Sequence, residues 1–275
     1  MKFALAAMAV ALLAQPPSAD TLRARLAGYL TEYEPRLSEL IADELLVQEN
    51  TRGSRATGGL GPREYRTIHA EVAFIALPGE AGWLGFRRVT KVGGKPVVDG
   101  LVSLPTALAA GAQDDYSRAR AMLADSARYN LGTPRTTNLP NLPLELLHQR
   151  NAHRFTVRVD GHQHVRGKRT TRLIFVEMVS PTLIRSQSGV DMQSTVTAFV
   201  EPDGRLWRAD VITVDRLKFE HVVSVEFQPH RKLGLLVPMT MHEKFFAGDN
   251  RDARGDASYR NYRRFQTSAR IVPQY

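Results

Sequence analysis

Two histidines placed two residues apart are the strongest candidates for metal ligands in this sequence. His162 and His164 project to the same side of an extended segment, and His153 lies on a neighbouring predicted strand. Imidazole is a common ligand of zinc and other transition metals. However, no carboxylate stands at a convincing ligand spacing, and the cations of Arg166 and Lys168 repel a metal ion. We therefore predict no metal site.

Nucleophilic catalysis has little support in the residue types present. The chain has no cysteine, so a thiol nucleophile and a thiolate metal site are both excluded. The Gly-x-Ser-x-Gly pattern of many serine hydrolases is absent. The glycines between Gly58 and Gly61 lack the Lys-Ser/Thr ending of a phosphate-binding loop. We assign no catalytic residue and no cofactor, and we favour a protein that is not an enzyme.

Two glutamates on predicted strands could act as general acids if their side chains pointed inward. Glu177 and Glu243 each lie within an apolar strand pattern, and burial would raise the pKa of such a carboxyl group. The alternative is a structural ion pair with an arginine on the next strand, such as Arg263 or Arg172. We favour the ion pair. A hydrolase of an envelope polymer would use Glu243 or His242.

Aromatic and methionine side chains occur on most of the predicted strands. Such adaptable side chains suit a cavity that binds an acyl chain. They suit equally well a packed layer between a sheet and the helices that cover it. The candidate ligand-binding residues are Trp83, Phe86, Phe199, Trp207, Phe227, Met239, Met241, Phe245, Tyr259 and Phe265.

Three arginines near the C-terminal end are the candidates for anion binding. On a regular strand, Arg260 and Arg264 share a face with Tyr262, while Arg263 shares the other face with Tyr259. Exposed arginine beside tyrosine could bind a phosphate headgroup. A ladder of ion pairs between strands is the alternative that we favour.

The first 19 residues have the layout of a secretory signal peptide. Lys2 precedes an apolar run from Phe3 to Ala14, and small residues follow Pro16. Twelve residues rise only about 18 Å as a helix, which is too short for a permanent span. We predict cleavage after Ala19, with cleavage after Ala14 as the alternative, and a soluble periplasmic or extracellular protein.

The exported location changes how the positive charge is interpreted. Removal of Lys2 lowers the formal charge from +9 to +8 (9 − 1 = 8). In the cytoplasm such a charge would indicate nucleic-acid binding, but an exported protein meets mainly phospholipid, lipopolysaccharide and polysaccharide anions. We predict no nucleic-acid partner, and the scattered basic residues also fit a simply solvated surface.

The mature chain, residues 20–275, is predicted to form a single domain. A helical pattern runs over residues 20–44, with Asp20 as its N-cap and Pro35 inside it. A second helix is predicted over Asp114–Tyr129, and residues 133–143 form a Pro-rich extended linker. Residues 153–275 form a strand series with short turns, which implies antiparallel order. The predicted fold class is α+β, a large curved antiparallel sheet with helices packed on one face.

Several motifs add a resemblance to known proteins. These are Leu236–Glu243, Ala257–Phe265, Ser180–Ile184 and Gly82–Arg87. Together they resemble a family of uncharacterised secreted bacterial proteins. The order of a "V-P-x-x-M-x-E" strand before a "Y-x-N-[FY]-R-R-F" strand also resembles the half-barrel of periplasmic lipoprotein carriers and related lipid-binding proteins.

These observations predict an exported protein that binds an apolar or amphiphilic ligand of the cell envelope, such as a lipid or an acylated molecule, without catalysis. The signal peptide, the strand series and the aromatic and methionine side chains support this function. The alternative is an envelope module that docks a partner protein through an exposed face of the sheet. An elongated apolar cavity would favour the first function, and a filled interior with an exposed apolar patch would favour the second.

Overall fold

The computed structural model describes residues 17–53, 60–76, 83–97, 124–132, 134–186, 188–215, 219–247 and 251–264. The apolar run of the predicted signal peptide and the predicted ligand residue Phe265 lie outside these ranges.

The N-terminal helix α1 spans Ala19–Leu37. Its N-cap is Ser18, whose hydroxyl accepts a hydrogen bond from the Thr21 amide at 3.2 Å, rather than the predicted Asp20. The prediction of helix to residue 44 is also wrong, because β1 begins at Leu40. From Ala42 the burial of side chains alternates with the period of a strand. The backbone of β1 is hydrogen bonded to strands on both sides, which a longer helix could not achieve.

The remaining helical segments are short. Of the predicted Asp114–Tyr129 helix, the structure describes residues 124–129, of which 124–127 are helical and 128–129 form a turn. Helix α2 spans Leu142–Leu147, and a 3₁₀ helix follows at Gln149–Arg154. The prediction of an extended linker over residues 133–143 is therefore wrong at its end, where α2 begins at Leu142. Asn138 and Leu139 of the predicted linker are buried, since they pack against the sheet.

The strands are β1 (Leu40–Gly53), β2 (Leu60–Ala76), β3 (Trp83–Val92), β4 (Lys95–Pro96), β5 (Phe155–Val165), β6 (Lys168–Glu177), β7 (Ile184–Arg185), β8 (Asp191–Val200), β9 (Leu206–Val214), β10 (Glu220–His230), β11 (Leu235–Ala247) and β12 (Arg251–Arg264). They form a large antiparallel sheet in the order β4-β3-β2-β1-β12-β11-β10-β9-β8-β6-β5, and β7 pairs with β8. The described part of the sheet is not closed, because β4 and β5 lie at its two ends. The predicted antiparallel order is thus confirmed.

One face of this sheet supplies most of the apolar core. The inward residues of the strands form one buried cluster with apolar residues of α1 and α2. Leu22, Leu26, Leu30 and Tyr33 of α1 are at most 3% exposed. The contribution of α1 to stability therefore comes from the tertiary burial of one stripe, as is usual for helices in globular proteins.

A β-bulge in β12 changes which side chains face the core. Asp43 pairs with Arg260 and Ile41 pairs with Arg263, so β12 has one residue more than β1 between these pairs. Asn261 adopts φ of 53° at this point, a left-handed conformation that asparagine tolerates better than most residues. As a result Tyr262, three residues after the buried Tyr259, also packs against the core.

Candidate ligand-binding cleft

A cleft of about 620 Å³ lies where β9, β10 and β11 meet the β7–β8 hairpin and the segment before α2. Its walls are largely apolar, with polar side chains at the points where the strands and the segment approach each other. The lining residues are Ala124, Ala127, Pro134, Arg135, Thr136, Thr137, Ile184, Arg185, Ser186, Ser188, Met192, Thr213, Asp215, Phe219, His221 and Phe245.

A buried ion pair joins one wall of the cleft to the sheet. Arg135 donates from Nε to Glu243 Oε2 at 3.0 Å and from Nη2 to Oε1 at 2.5 Å. Both side chains are at most 4% exposed. The two hydrogen bonds run in parallel from one guanidinium to the two oxygens of one carboxylate. This bidentate geometry gives the strongest form of such an ion pair.

The Glu243 carboxylate is held in its charged form. Burial raises the pKa of this carboxyl, but the charge and hydrogen bonds of Arg135 outweigh it, and His221 acts in the same direction. The pKa of Glu243 therefore lies well below its usual range. His221 Nε2 is 3.6 Å from Glu243 Oε2, while His221 Nδ1 and the Thr137 hydroxyl are 3.1 Å apart. Glu243 is thus unsuited to the role of a general acid, which needs a raised pKa.

Amide side chains extend this network into the sheet. Gln48 of β1 donates to Asn130 Oδ1 at 2.9 Å and accepts from the Leu131 amide at 3.0 Å. Asn130 in turn donates to the Arg135 carbonyl at 2.8 Å and accepts from Asn138 Nδ2 at 2.9 Å. Buried polar groups need such partners, so these hydrogen bonds hold residues 130–131 and 135–138 against β1.

A second buried ion pair holds the same segment from the other side. Arg87 of β3 donates from Nε to Glu44 Oε2 at 2.5 Å and from Nη2 to Glu44 Oε1 at 2.9 Å. The same guanidinium donates to the Asn138 carbonyl at 2.7 Å. Burial lowers the pKa of Arg87, but the charge and hydrogen bonds of Glu44, together with the charge of Glu243, outweigh burial and raise the pKa above its usual range. Two fully paired arginines therefore anchor the segment that forms a wall of the cleft.

The arrangement favours binding over proton transfer. The ionised groups beside the cleft are already matched to one another, while the apolar side chains of Ile184, Met192, Phe219 and Phe245 line the space. A site built in this way offers apolar surface and a few fixed polar groups, which is the usual composition of a small-molecule pocket.

The other predicted inward glutamate also forms an ion pair. Glu177 is 1% exposed and accepts from Arg154 Nε at 3.3 Å and from the Leu183 amide at 2.8 Å. The prediction of structural pairs for Glu177 and Glu243 agrees with these contacts, but both expected partners are wrong. Arg172 pairs with Asp160, and Arg263 pairs elsewhere on the sheet.

Among the predicted ligand-binding residues, Phe245 lines this cleft. Phe227, Met241 and Tyr259 are at most 2% exposed and belong to the packed core cluster. Their burial fits the packed-layer alternative rather than a cavity lining. The Tyr259 hydroxyl lies 3.7 Å from the Met241 sulfur, so these side chains fill space against each other.

Two further predicted residues point away from the cleft. Phe86 of β3 lies beside Ala73 of β2, and Ala73 lies beside Ile41 of β1. These three side chains are on the opposite face of the sheet from Arg87. Phe199 pairs with Arg208, whose guanidinium lies 5.2 Å from the centre of the phenylalanine ring. Period-2 alternation therefore separates both aromatic rings from the cleft lining.

The remaining predicted ligand residues have other locations. Trp207 lines a second cleft and donates from its indole to Glu201 Oε2 at 2.9 Å. Met239 is half-buried at a bulge, where β11 has one residue more than β10. The side chain of Trp83 lies outside the described residues, as does Phe265.

Two of the three predicted anion-binding arginines have carboxylate partners. Arg263 Nη1 is 2.7 Å from Asp43 Oδ1, and its other terminal nitrogen pairs with Glu71. Arg264 Nη1 is 3.3 Å from Glu39 Oε2, while Arg260 is exposed. These contacts agree with the ion-pair alternative.

The predicted histidine pair lies on an exposed stretch of β5. His162 and His164 are both exposed, and a bulge at Gly161 precedes them. The residues described here contain no group of three or more metal-ligating side chains in mutual reach. His242, an alternative catalytic candidate, lies on the opposite face of β11 from Glu243 and pairs with exposed Asp256 at 2.5 Å. The two residues do not form one site.

Sequence reasoning missed Arg135 and the residues around it, because the prolines of 133–143 indicated an extended linker. A signal was present in Asn138 and Asn141, which are interleaved with the apolar Leu139 and Leu142. The pairing itself spans 108 positions, and no local pattern reports such a contact.

Comparison with known proteins identifies structural neighbours only. The sequence matches no protein-family model and no curated protein. The structure is similar to a DUF1329 family protein from Desulfovibrio piger, with TM-score 0.43 and 12% identity over 90% of this chain and 93% of that one.

Two further neighbours are described as lipoprotein-sorting or LolA superfamily proteins. The similarity to an outer membrane lipoprotein-sorting protein domain from Vibrio parahaemolyticus has TM-score 0.40 and 8% identity over 88% and 92% of the two chains. A LolA superfamily protein from Nitrosomonas europaea has TM-score 0.34 and 8% identity over 90% and 97%. The names of these two neighbours are of the kind that the sequence resemblance indicated, but all three TM-scores are below 0.5, so neither fold nor ligand is inferred from the likeness.

Within the described residues, no helix has both the length and the apolar character that a membrane span requires.

Proposed function

We propose that this protein is an exported carrier that binds an apolar or amphiphilic molecule of the cell envelope in the cleft beside Phe245 and His221. The observation that supports this function best is the cleft itself, with about 620 Å³ of space and largely apolar walls. Pockets for small molecules commonly have volumes of about 300 to 1,000 Å³.

The lining residues indicate the kind of ligand. Met192, Ile184, Phe219 and Phe245 offer apolar surface from three directions, and methionine adapts its shape to irregular apolar ligands. An acyl chain fits this chemistry, because it requires contact area and no directional bonds.

The polar lining would orient the ligand. Thr213 and Thr137 present hydroxyl groups beside His221, and Arg135 lies 5.6 Å from the centre of the Phe245 ring. A ligand with an apolar body and a polar end would place the end towards these groups. The proposal is therefore an amphiphile rather than a pure hydrocarbon.

Three features of the proposal rest on the sequence. Export to the periplasm or the extracellular space rests on the signal-peptide pattern of residues 1–19. The proposed mature protein is a single domain over residues 20–275, because the strand series continues without a second boundary. Ligand release and uptake without catalysis complete the carrier function.

Filling the cleft is expected to abolish ligand binding. Ile184 lines the cleft, and Ile184→Trp places a larger side chain in the proposed acyl site. We expect displacement of a fluorescent fatty acid by unlabelled lipid at micromolar concentration for the original protein. The variant should lose at least about tenfold in affinity, since tenfold corresponds to about 1.4 kcal/mol.

The neighbouring Leu183 provides a matched control. Leu183 is 37% exposed and does not line the cleft, so Leu183→Trp adds the same side chain on the same hairpin without filling the site. Its affinity should stay within about twofold of the original protein, a change of about 0.4 kcal/mol. Equal losses in both variants, or a native mass spectrum of the bare chain together with no displacement, would contradict the proposed function.

A further inference from the structure

A second cleft, of about 340 Å³, lies between the C-terminal half of α1 and the β10–β11 turn. It shares no lining residue with the apolar cleft. Its lining residues are Tyr29, Glu32, Tyr33, Arg36, Lys168, Arg205, Trp207, Pro229, His230, Arg231, Gly234, Leu235 and Leu236. The two sites can therefore be examined independently.

The lining of this second cleft is strongly basic. Arg36, Lys168, Arg205 and Arg231 line it, against the single carboxylate of Glu32. These cations come from four separate parts of the chain, namely α1, the start of β6, the turn before β9 and the turn after β10. Convergence of cations in a concave site raises the local concentration of anions.

Two of the four cations have structural roles. Arg36 Nη2 donates to the carbonyl oxygens of Leu233 at 3.1 Å and Gly234 at 2.7 Å, which anchors the β10–β11 turn to α1. Arg205 pairs with Asp203 at 2.8 Å and with Glu201 at 3.1 Å. These bonds hold both guanidinium groups in place at the edge of the cleft.

The other two cations have no carboxylate partner in the part of the chain that the structure describes. Lys168 Nζ lies 5.8 Å from the centre of the Trp207 ring, and Arg231 makes no ion pair or hydrogen bond with described residues. Most other arginines of the sheet surface are paired, as Arg263 and Arg264 are. Lys168 and Arg231 thus remain available to a ligand.

The floor of the cleft is built from packed rings. Tyr29 and Tyr33 stack with ring centres 5.3 Å apart. His230 also lines the cleft, and its Nδ1 atom is buried without a hydrogen-bond partner among the described residues. Buried polar atoms are nearly always paired, so this part of the floor is one hydrogen bond short within the described residues.

We propose that this second cleft binds a phosphate group, with Lys168 and Arg231 as its principal contacts. Phosphate suits the site because ammonium and guanidinium groups both bind it through charge-assisted hydrogen bonds. The group is either a free phosphate compound or the headgroup of a phospholipid. The anion site is therefore separate from the C-terminal arginines that the sequence indicated.

The test uses the full chain with two probes. Calorimetry with inorganic pyrophosphate measures binding of the free anion, and sedimentation with phosphatidylglycerol vesicles, compared with phosphatidylcholine vesicles, measures binding of the headgroup. The double variant Lys168→Glu/Arg231→Glu should lose at least about tenfold in affinity for whichever probe binds, because each substitution removes a charge-assisted hydrogen bond and places a negative charge beside the phosphate.

The chain offers a control with the same change in net charge. Arg169 is exposed and follows Lys168 on β6, so its side chain points to the opposite face. Lys232 is exposed beside Arg231 and does not line the cleft. Arg169→Glu/Lys232→Glu should retain binding within about threefold, a change of about 0.7 kcal/mol.

The outcomes separate the phosphate site from the proposed carrier function. If the original protein binds pyrophosphate and Lys168→Glu/Arg231→Glu does not, a free phosphate ligand is supported. If the original protein binds only anionic vesicles and this variant loses that binding, a phospholipid headgroup is supported. Equal losses in both double variants, or no binding of either probe by the original protein, would overturn the phosphate site. The fluorescent fatty-acid assay should be unchanged in both double variants, so failure of either proposal is recognised separately.

Discussion

Replacing Arg135 with methionine is expected to destabilise the fold by about 3 to 5 kcal/mol at neutral pH, since removing one partner leaves a buried charge uncompensated. Glu243 is fully buried and has Arg135 as its bidentate partner. Methionine keeps most of the side-chain length but supplies no charge. Urea denaturation monitored by circular dichroism measures the difference in the free energy of unfolding.

The pH dependence identifies the carboxylate as the cause. In the original protein the folded-state pKa of Glu243 lies below its ordinary value of 4.5. Its stabilising contribution is therefore complete above pH 4.5 and is lost as the pH falls towards the depressed pKa. In Arg135→Met, burial without the guanidinium raises that pKa instead. The difference in stability between the two proteins should thus shrink on acidification.

Two further variants distinguish the buried charge from lost packing. Adding Glu243→Gln to Arg135→Met removes the uncompensated charge while keeping the side-chain shape above Gly255, so the double variant should be more stable than Arg135→Met alone. Arg264→Met breaks an exposed pair with Glu39 and should change stability little. A pH-independent loss for Arg135→Met, not relieved by the second substitution, would contradict the role of the ion pair.

The parts of the fold that local patterns encode could be predicted from the sequence. Gly93 and Gly94 adopt positive φ between β3 and β4, and Pro202–Gly204 forms the turn between β8 and β9; both short sequences are typical of tight turns. Apolar and polar residues alternate along β10, where Val223, Val225 and Phe227 are buried. The residue preferences of turns and the alternation of strands depend on only a few neighbouring residues, so both can be predicted from the sequence.

The candidate site depends on features that no short window contains. Arg135 meets Glu243 and Arg87 meets Asn138 across the interior, and these pairings follow from the topology of the whole sheet. The bulge at Asn261 adds one residue and so reverses the facing of the side chains after it. Regular alternation therefore placed Tyr262 with the exposed arginines, although it packs against the core.

The largest expected effect of a single methyl group is at Gly204, in the turn between β8 and β9. Gly204 has φ of 94°, and a Cβ atom there would lie 2.7 Å from the Leu26 amide nitrogen and closer still to the Arg25 carbonyl group. These are backbone atoms of α1, so rotation of a side chain cannot relieve the overlap. Gly204→Ala should destabilise the protein by about 3 kcal/mol or more, from the left-handed conformation and the displacement of α1 together.

Gly161 separates these two contributions. It has φ of 87°, and a Cβ atom there would meet nothing within 4 Å, so Gly161→Ala should lose only the conformational part, about 1 to 2 kcal/mol. The additional loss of unfolding free energy at Gly204, measured by thermal denaturation, then measures how strongly the packing of α1 against this turn stabilises the protein. Arg25 of α1 also donates to the Pro202 carbonyl at 2.6 Å.

Because α1 supplies Tyr29 and Arg36 to the second cleft, Gly204→Ala should also weaken pyrophosphate binding, whereas Gly161→Ala should not. Equal losses of stability in Gly204→Ala and Gly161→Ala would contradict a stabilising contact between α1 and the turn at Gly204.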